Sequence, residues 1–157
     1  MQNTPLKFDI IIFGATSFVG QILTRYMLAQ FAVEGELKWA IAGRSQSKLN
    51  ELKLSLGAAG ETLDIVIADA ADEDSLRSLC KSTRVVISTV GPYALYGEPL
   101  VKICVALGTD YCDLTGEVQW IAKMLESYEE AAKISGARIV NSCGFDSVHG
   151  PCYDGTT

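Results

Sequence analysis

The chain has 157 residues, and 48% of them are hydrophobic, which is enough for one α/β domain with a buried core. The formal net charge is −6 at pH 7, and the isoelectric point is near 4.7. Because a nucleic-acid-binding surface needs positive charge to neutralise phosphates, we expect no nucleic-acid partner. The five cysteines form no C-x-x-C pair and the only histidine is His149, so we expect neither a bound metal nor a disulfide framework.

The sequence has no stretch that is typical of a membrane span or a secretory signal. The longest uncharged stretch, residues 10–24, is shorter than the roughly 18–20 apolar residues that a transmembrane helix requires, and it contains two glycines. Asp9 would interrupt the apolar core of a signal peptide. We therefore expect a cytoplasmic protein without a membrane span.

Apolar runs alternate along the chain with segments of helical periodicity. Strands are predicted at residues 8–13, 39–42, 63–68, 85–89, 111–114 and 138–142. Helices are predicted at residues 18–30, 47–56, 73–81, 99–107 and 118–135. Nearly continuous apolar strands separated by helices favour an α/β fold with a parallel sheet, in the doubly wound (Rossmann) order 3-2-1-4-5-6. Such a sheet binds ligands beyond the carboxyl ends of its strands.

Two of these helices have an apolar stripe of the kind that packs on a core. The stripe of the first helix consists of Phe18, Ile22, Leu23, Tyr26 and Met27. The stripe of the last helix, which Gly136 ends, consists of Trp120, Ile121, Met124, Leu125, Tyr128, Ala131 and Ala132.

The turn between the first strand and the first helix has the spacing of a pyrophosphate-binding loop. Its residues are Gly14, Ala15, Thr16, Ser17, Phe18, Val19 and Gly20. Gly14 permits a tight turn, Gly20 lets the helix pack closely on the sheet, and the N–H groups at the helix start face the phosphates. Ser17 replaces the middle glycine of the pattern, and its hydroxyl could donate to the phosphates. The alternative is an ordinary strand-to-helix turn, but the position after the first strand favours cofactor binding.

The end of the second strand indicates which dinucleotide binds. An NAD-specific site keeps Asp or Glu there for the ribose hydroxyls, whereas this chain has Arg44 and Ser45, with Lys48 one helical turn further on. A guanidinium pairs with a 2′-phosphate that a carboxylate would repel. We therefore expect NADP(H) in preference to NAD(H). The alternative is that Arg44 is a solvated surface residue.

Two further strand ends offer candidate cofactor contacts. Asp69 follows the third strand, where it either touches the adenine or caps the next helix. Thr89, Val90, Gly91 and Pro92 follow the fourth strand, beside the point where the strand order reverses. Their backbone is therefore expected to approach the cofactor.

The sequence also offers candidate catalytic residues. Tyr93 and Tyr96 could act as general acids, although buried packing is the more common role of tyrosine. Asp113, Thr115 and Glu117 lie at the mouth of the fifth strand, where Thr115 or Glu117 could instead begin the last helix.

Cys143 points to a competing mechanism that uses a thiolate, and a catalytic thiolate needs a nearby base. The only histidine, His149, lies outside the motifs of the chain. We therefore expect Cys143 to be a small residue tucked behind the sixth strand.

Three motifs lie beyond the fourth, fifth and sixth strands. They are V-G-P-Y with Y-G-E-P at 90–99, Y-C-D-L-T-G-E at 111–117 and S-C-G-F-D-S at 142–147. Together they resemble the saccharopine dehydrogenase-like oxidoreductases, a family that includes trans-acting enoyl reductases of glycolipid assembly. The resemblance implies hydride transfer from NADP(H) to an enoyl, imine or carbonyl group of a lipid-like or amino-acid-derived substrate. It also implies a Rossmann cofactor domain at 1–148.

Residues 149–157 are unlike the family, so we expect an irregular tail and no substrate domain in this chain. The chain alone is then expected to bind cofactor without turnover, and the alternative function is an inactive dinucleotide-binding or interaction module. Apolar residues at 94–96 and on the edge of the sixth strand lack a covering domain, so self-association is expected. In full-length relatives, a partner domain could add a peripheral membrane contact.

Overall fold

The structure is a computed structural model that describes residues 6–33 and 35–144. Its strands are β1 Phe8–Phe13, β2 Trp39–Gly43, β3 Asp64–Ile67, β4 Thr83–Ser88, β5 Asp110–Asp113 and β6 Ile139–Val140. Its α-helices are α1 Phe18–Gln30, α2 Gln46–Ser55, α3 Glu73–Ser82, α4 Tyr93–Tyr96, α5 Glu98–Leu107 and α6 Val118–Ser135, and a 3₁₀ turn spans Ala58–Gly60. His149, the predicted tail and residues 145–147 of the third motif lie outside the described residues.

The six strands form one parallel sheet in the order β3-β2-β1-β4-β5-β6. This confirms the predicted doubly wound Rossmann fold. The strand order reverses between β1 and β4, which are neighbours in the sheet, with Ile10 beside Val85, although β2 and β3 lie between them in the sequence. The crevice at the carboxyl ends of β1 and β4 is therefore where a ligand is expected.

Apolar side chains cover both faces of the sheet, as the continuous apolar strands predict. Neighbouring residues of a strand point to opposite faces, so Ile11 and Ile12 of β1 belong to different clusters. Ile11 packs in the cluster that includes residues of α3, α5 and α6, and Ile12 in the cluster that includes residues of α1 and α2. The sheet thus holds the loops at its carboxyl edge on a core that is buried on both sides.

The apolar stripe predicted for α1 is wrong for most of its residues. Phe18, Ile22 and Tyr26 face solvent, and the buried residues are Gly20, Thr24 and Met27. Gly20 sets this rotation, because a Cβ at position 20 would collide with the carbonyl oxygen of Gly14. The helix must therefore turn its glycine, and not its largest apolar side chains, toward the sheet.

The stripe predicted for α6 is narrower in the structure, where Trp120 and Met124 are the buried residues of the helix and Leu125 is exposed. β6 is also shorter than predicted. It ends before Ser142, which has a φ of 59° and donates its N–H to the Asp113 side chain at 3.0 Å. A left-handed residue cannot continue an extended strand.

Within residues 6–33 and 35–144, no helix is long and apolar enough to cross a membrane. The same part of the chain holds no group of three or more His, Cys, Asp and Glu side chains arranged to bind a metal ion.

Candidate cofactor site

A cavity of about 400 Å³ lies at the carboxyl ends of the strands. Eight of the predicted cofactor residues line it: Gly14, Thr16, Ser17, Arg44, Asp69, Thr89, Val90 and Gly91. It is also lined by Phe13, Gly43, Ala68, Ala70, Ala71 and Tyr96. Five of these six are direct neighbours of predicted residues in the sequence or lie one position further on, so the ends of the predicted strands would have identified them. Tyr96 was expected only as a proton donor.

The phosphate loop has the tight geometry that the glycine spacing predicts. Gly14 has a φ of 87°, and a Cβ there would lie 2.7 Å from Val90 Cγ2 and 2.8 Å from Thr89 Oγ1. The predicted residues Ala15 and Gly20 are buried beneath the loop, while the side chains of Phe18 and Val19 are exposed and do not line the cavity. The amides of Phe18 and Val19 are in the first turn of α1, where a helix has no internal acceptor for its N–H groups.

Ser17 occupies the N-cap of α1 and accepts a hydrogen bond of 3.0 Å from the N–H of Gly20. Its hydroxyl also lies 3.0 Å from Thr89 Oγ1 at the end of β4. The hydroxyl thus has two partners within the protein, so this arrangement does not support its predicted donation to a phosphate.

Arg44 follows β2 directly and is exposed in the cavity wall. Within the described part of the chain it forms no ion pair and no side-chain hydrogen bond. Ser45 is the N-cap of α2 and accepts from the N–H of Lys48 at 3.4 Å. Lys48 lines an adjoining cleft with Arg25, and not the main cavity. Of the three residues predicted here, Arg44 alone lines the cavity.

Asp69 lines the cavity, and the alternative that it caps the next helix is not what the structure shows. Its Oδ1 accepts a hydrogen bond of 3.0 Å from the N–H of Ala71 within the loop. The N-cap of α3 is Asp72, which accepts from the N–H of Asp74 at 3.1 Å.

The segment after β4 approaches the same cavity with Thr89, Val90 and Gly91. Pro92 does not line the cavity and instead precedes the short helix α4 as its N-cap. The N–H of Thr89 donates to the carbonyl oxygen of Phe13 at 2.9 Å, so the segment is attached to the end of β1.

Tyr93 does not line the cavity, so the structure gives no support to a role as a general acid. Its hydroxyl donates to the carbonyl oxygen of Ser88 at 2.9 Å, and its ring packs against Trp120 with the centroids 5.4 Å apart. Burial, with a contribution from the Asp113 carboxylate, raises the pKa of Tyr93 to about 12. Tyr96 is 47% exposed, lines the cavity and has no hydrogen-bond partner for its hydroxyl among the described residues.

Asp113 is 2% exposed and its carboxylate accepts four hydrogen bonds, which makes it a structural residue. The donors are the Tyr111 hydroxyl at 2.8 Å, the Asn141 amide at 2.7 Å, and the N–H groups of Thr115 at 3.1 Å and Ser142 at 3.0 Å. It thus joins the second and third family motifs.

Thr115 and Glu117 also support the loops. Thr115 is buried, and its hydroxyl accepts from the N–H of Glu117 at 3.1 Å. Glu117 is the N-cap residue of α6, as one alternative predicted, and its carboxylate caps α4. None of the three candidates around β5 lines the cavity.

Cys143 is exposed, which corrects the expectation that it packs behind the sixth strand. Partial burial of the sulfur, with the nearby Asp113 carboxylate, raises the pKa of the Cys143 thiol above its ordinary value. A raised thiol pKa disfavours the thiolate, so a mechanism with a catalytic cysteine is not supported.

The fold and the cavity define a dinucleotide-binding domain of the Rossmann class. Residues 10–140 match the family model of the saccharopine dehydrogenase NADP binding domain, and the chain belongs to this family. The cofactor of the domain is therefore NADP(H), as the sequence predicts. The part played by Arg44 in that choice stays a prediction.

Three relatives illustrate the family. A protein of Mycobacterium tuberculosis assigned to the trans-acting enoyl reductases is 43% identical over 148 residues, which cover 94% of this chain and 35% of that protein. The trans-acting enoyl reductase of Mycobacterium leprae is 38% identical, with the same two coverages. The lipid droplet localized protein of Caenorhabditis elegans is 38% identical, covering 90% of this chain and 34% of that protein. The chain spans about a third of the length of these curated relatives.

Solved structures share the fold at low sequence identity. Saccharopine dehydrogenase (L-Glu forming) from Saccharomyces cerevisiae superposes with a TM-score of 0.69 at 18% identity, covering 89% of this chain and 28% of that chain. AtPrR2 with NADP⁺ and (+)pinoresinol superposes with a TM-score of 0.57 at 16% identity, covering 88% and 50%.

Proposed function

We propose that this chain is the cofactor-binding part of an NADP(H)-dependent oxidoreductase that reduces an enoyl group of a lipid-like substrate. The observation that carries the proposal is the cavity at the carboxyl edge of the sheet, which brings together the phosphate loop, Arg44 and the segment after β4. The reaction and substrate class follow from relatives that are named as trans-acting enoyl reductases.

The donor set of the cavity fits a dinucleotide phosphate. The N–H groups of Phe18 and Val19 can bind the pyrophosphate, and the helix dipole of α1 adds to this attraction. Arg44 can pair with the 2′-phosphate, and Asp69, which lines the same cavity, can contact the adenine. Thr89, Val90 and Gly91 then border the nicotinamide half. Bound NADPH supplies the hydride, and the protein supplies its position.

Tyr96 is the proposed proton donor, because it lines the cavity and its hydroxyl is not hydrogen-bonded to another described residue. In a protein that joins this domain to a substrate domain, Tyr96→Phe is expected to slow enoyl reduction much more than it weakens NADPH binding. Similar losses in the turnover number and in NADPH affinity would contradict this role.

The proposed function is tested by titrating the chain with NADPH, following the nucleotide fluorescence at one fixed salt concentration. Saturable binding to one site supports the proposal, and no binding contradicts it. A second assay follows NADPH oxidation with a trans-2-enoyl thioester. Binding without oxidation is expected for the chain alone, because substrate must be held and water excluded by a surface opposite the cofactor.

Lipid association and self-association are part of the same proposal. The lipid droplet localized relative supports an association of the complete protein with lipid. Leu95 and Tyr96 beside the cavity and Val140 on β6 are exposed, and exposed apolar groups of this kind favour contact with another surface.

A further inference from the structure

The two hydroxyls of Ser17 and Thr89 link both ends of the phosphate loop to the end of β4. Ser17 Oγ accepts from the N–H of Gly20 at 3.0 Å and lies 3.0 Å from Thr89 Oγ1. Thr89 Oγ1 lies 2.8 Å from the carbonyl oxygen of Gly14. Each hydroxyl has one hydrogen to donate, so the two contacts are both satisfied when Ser17 donates to Thr89 and Thr89 donates to Gly14.

This chain of hydrogen bonds joins residues that are far apart in the sequence. Ser17 and Thr89 are separated by 72 positions, and Thr89 is 8% exposed. A glycine at position 17 could not form the chain. Ser17 has a φ of −67° and a ψ of 163°, so the backbone there does not require the conformational freedom of glycine.

The direction of the Ser17 side chain also decides what remains open to a ligand. Its hydroxyl is used by Gly20 and Thr89, while the N–H groups of Phe18 and Val19 stay in the unpaired first turn of α1. The Ser17 side chain therefore braces the loop without using the N–H groups of Phe18 and Val19.

We propose that Ser17 and Thr89 are positioning residues that hold the phosphate loop in its pyrophosphate-binding shape before the cofactor arrives. The proposal rests on the proposed NADP(H) site and adds residues that act through the loop amides. A loop that is already ordered loses less conformational entropy on binding, so the hydroxyl pair increases affinity. The effect is confined to the pyrophosphate, since Arg44 at the 2′-phosphate lies on another strand end.

The test compares two probes, NADPH and adenosine 2′-monophosphate, which lacks the pyrophosphate. Ser17→Ala and Thr89→Val are each expected to weaken NADPH binding by about three- to tenfold, the usual range for one lost hydrogen bond. The double variant should lose little more than either single variant, because both changes break the same chain. Binding of adenosine 2′-monophosphate should stay unchanged, and Thr89→Ser, which keeps the hydroxyl, should restore NADPH affinity.

Thr109→Val is the matched control, because Thr109 is also buried and donates to a carbonyl oxygen, that of Cys80 at 3.0 Å, but does not line the cavity. It should lower the melting temperature without changing either affinity.

If Thr89→Val does not fold, Ser17→Ala carries the test, since Ser17 is only partly buried. Equal loss of both probes, or no loss of NADPH affinity, overturns the positioning role. Failure of the unmodified chain to bind NADPH overturns the proposed function itself.

Discussion

The carboxylate of Glu117 accepts a hydrogen bond of 2.7 Å from the backbone N–H of Tyr93, 24 positions earlier in the sequence. Its second oxygen accepts from the N–H of Ala94 at 2.8 Å. One side chain of the second family motif thus accepts hydrogen bonds from the first two N–H groups of α4, the short helix that belongs to the first motif. Two of the three motifs that identify the family are therefore joined by a helix cap next to the cofactor cavity.

Glu117→Ala is expected to lower the free energy of unfolding by about 2 kcal/mol, because hydrogen bonds to a charged group contribute about 1.5–3 kcal/mol. The measurement is unfolding in guanidinium chloride at neutral pH. Glu126→Ala is the matched control, since Glu126 is exposed in α6 and has no hydrogen-bond partner among the described residues. Equal stability of the two variants would show that the cap contributes nothing.

Asp113→Asn is expected to be more damaging, with a loss of about 2–3 kcal/mol. In the variant, the side-chain NH₂ group faces donors that bind the carboxylate in the wild type. At least one buried donor therefore loses its acceptor. Amide hydrogen exchange should rise at Thr115 and Ser142, whose N–H groups bind Asp113. Asp74→Asn, an exposed change of the same kind, should leave this exchange unaltered. Unchanged protection in Asp113→Asn would contradict its structural role.

The stability of the protein should decrease at alkaline pH, and Tyr93 should contribute to this decrease. Burial raises the pKa of Tyr93 from its ordinary value near 10 to about 12. The folded state therefore keeps a proton that the unfolded chain releases, so the contribution is full below pH 10 and is lost as the pH rises to about 12. Burial also raises the pKa of Tyr111, and its contribution has the same sign.

Tyr93→Phe tests this contribution. It removes the hydrogen bond to the Ser88 carbonyl oxygen and should cost about 1 kcal/mol at neutral pH. Above pH 10 the variant should lose stability less steeply than the wild type. The free energy of unfolding is measured at several values between pH 8 and 11. Parallel curves for the two proteins would mean that Tyr93 does not titrate differently in the folded state.

Self-association should depend on Leu95, which is 70% exposed beside the cavity. Leu95→Ser is expected to shift the protein toward monomer in light scattering at high concentration, because it removes exposed apolar surface from α4. Leu54→Ser is a suitable control, since Leu54 is also a highly exposed leucine but lies on α2 and not on α4. A wild-type chain that is monomeric at high concentration would contradict the expectation.

The strand order and the cavity could be predicted from the sequence because both depend on local patterns, namely apolar strands and residues at strand ends. The rotation of α1 could not, since it depends on the contact between Gly20 and the carbonyl of Gly14, which apolar periodicity does not show. The structural roles of Asp113 and Glu117 could not be predicted from the sequence either. Their partners lie on other strand ends and loops, and a polar residue at the mouth of a strand has the same sequence signature whether it binds a ligand or holds a loop.

The choice of NADP(H) over NAD(H) is expected to depend on Arg44, which is exposed in the cavity wall at the end of β2. Hydrogen bonds to a charged group contribute about 1.5–3 kcal/mol, which corresponds to roughly ten- to a hundredfold tighter binding of NADPH than of NADH. Arg44→Asp removes this attraction and adds repulsion, so the order of the two affinities should reverse. Lys48→Ala should cost about 1 kcal/mol or less, because Lys48 is exposed and lies outside the main cavity.

Both cofactors are titrated against each variant at one fixed salt concentration, because affinity for a phosphate falls as salt screens the charges. Lys81→Asp is the matched control for Arg44→Asp. It changes the net charge by the same amount, but Lys81 is in the last turn of α3, which leads to the amino end of β4 and the opposite edge of the sheet. A general electrostatic effect would lower NADPH affinity in both variants, whereas a specific contact with the 2′-phosphate requires the loss in Arg44→Asp alone. If the wild type binds both cofactors equally, or Arg44→Asp leaves their ratio unchanged, Arg44 is a solvated surface residue and another group selects the cofactor.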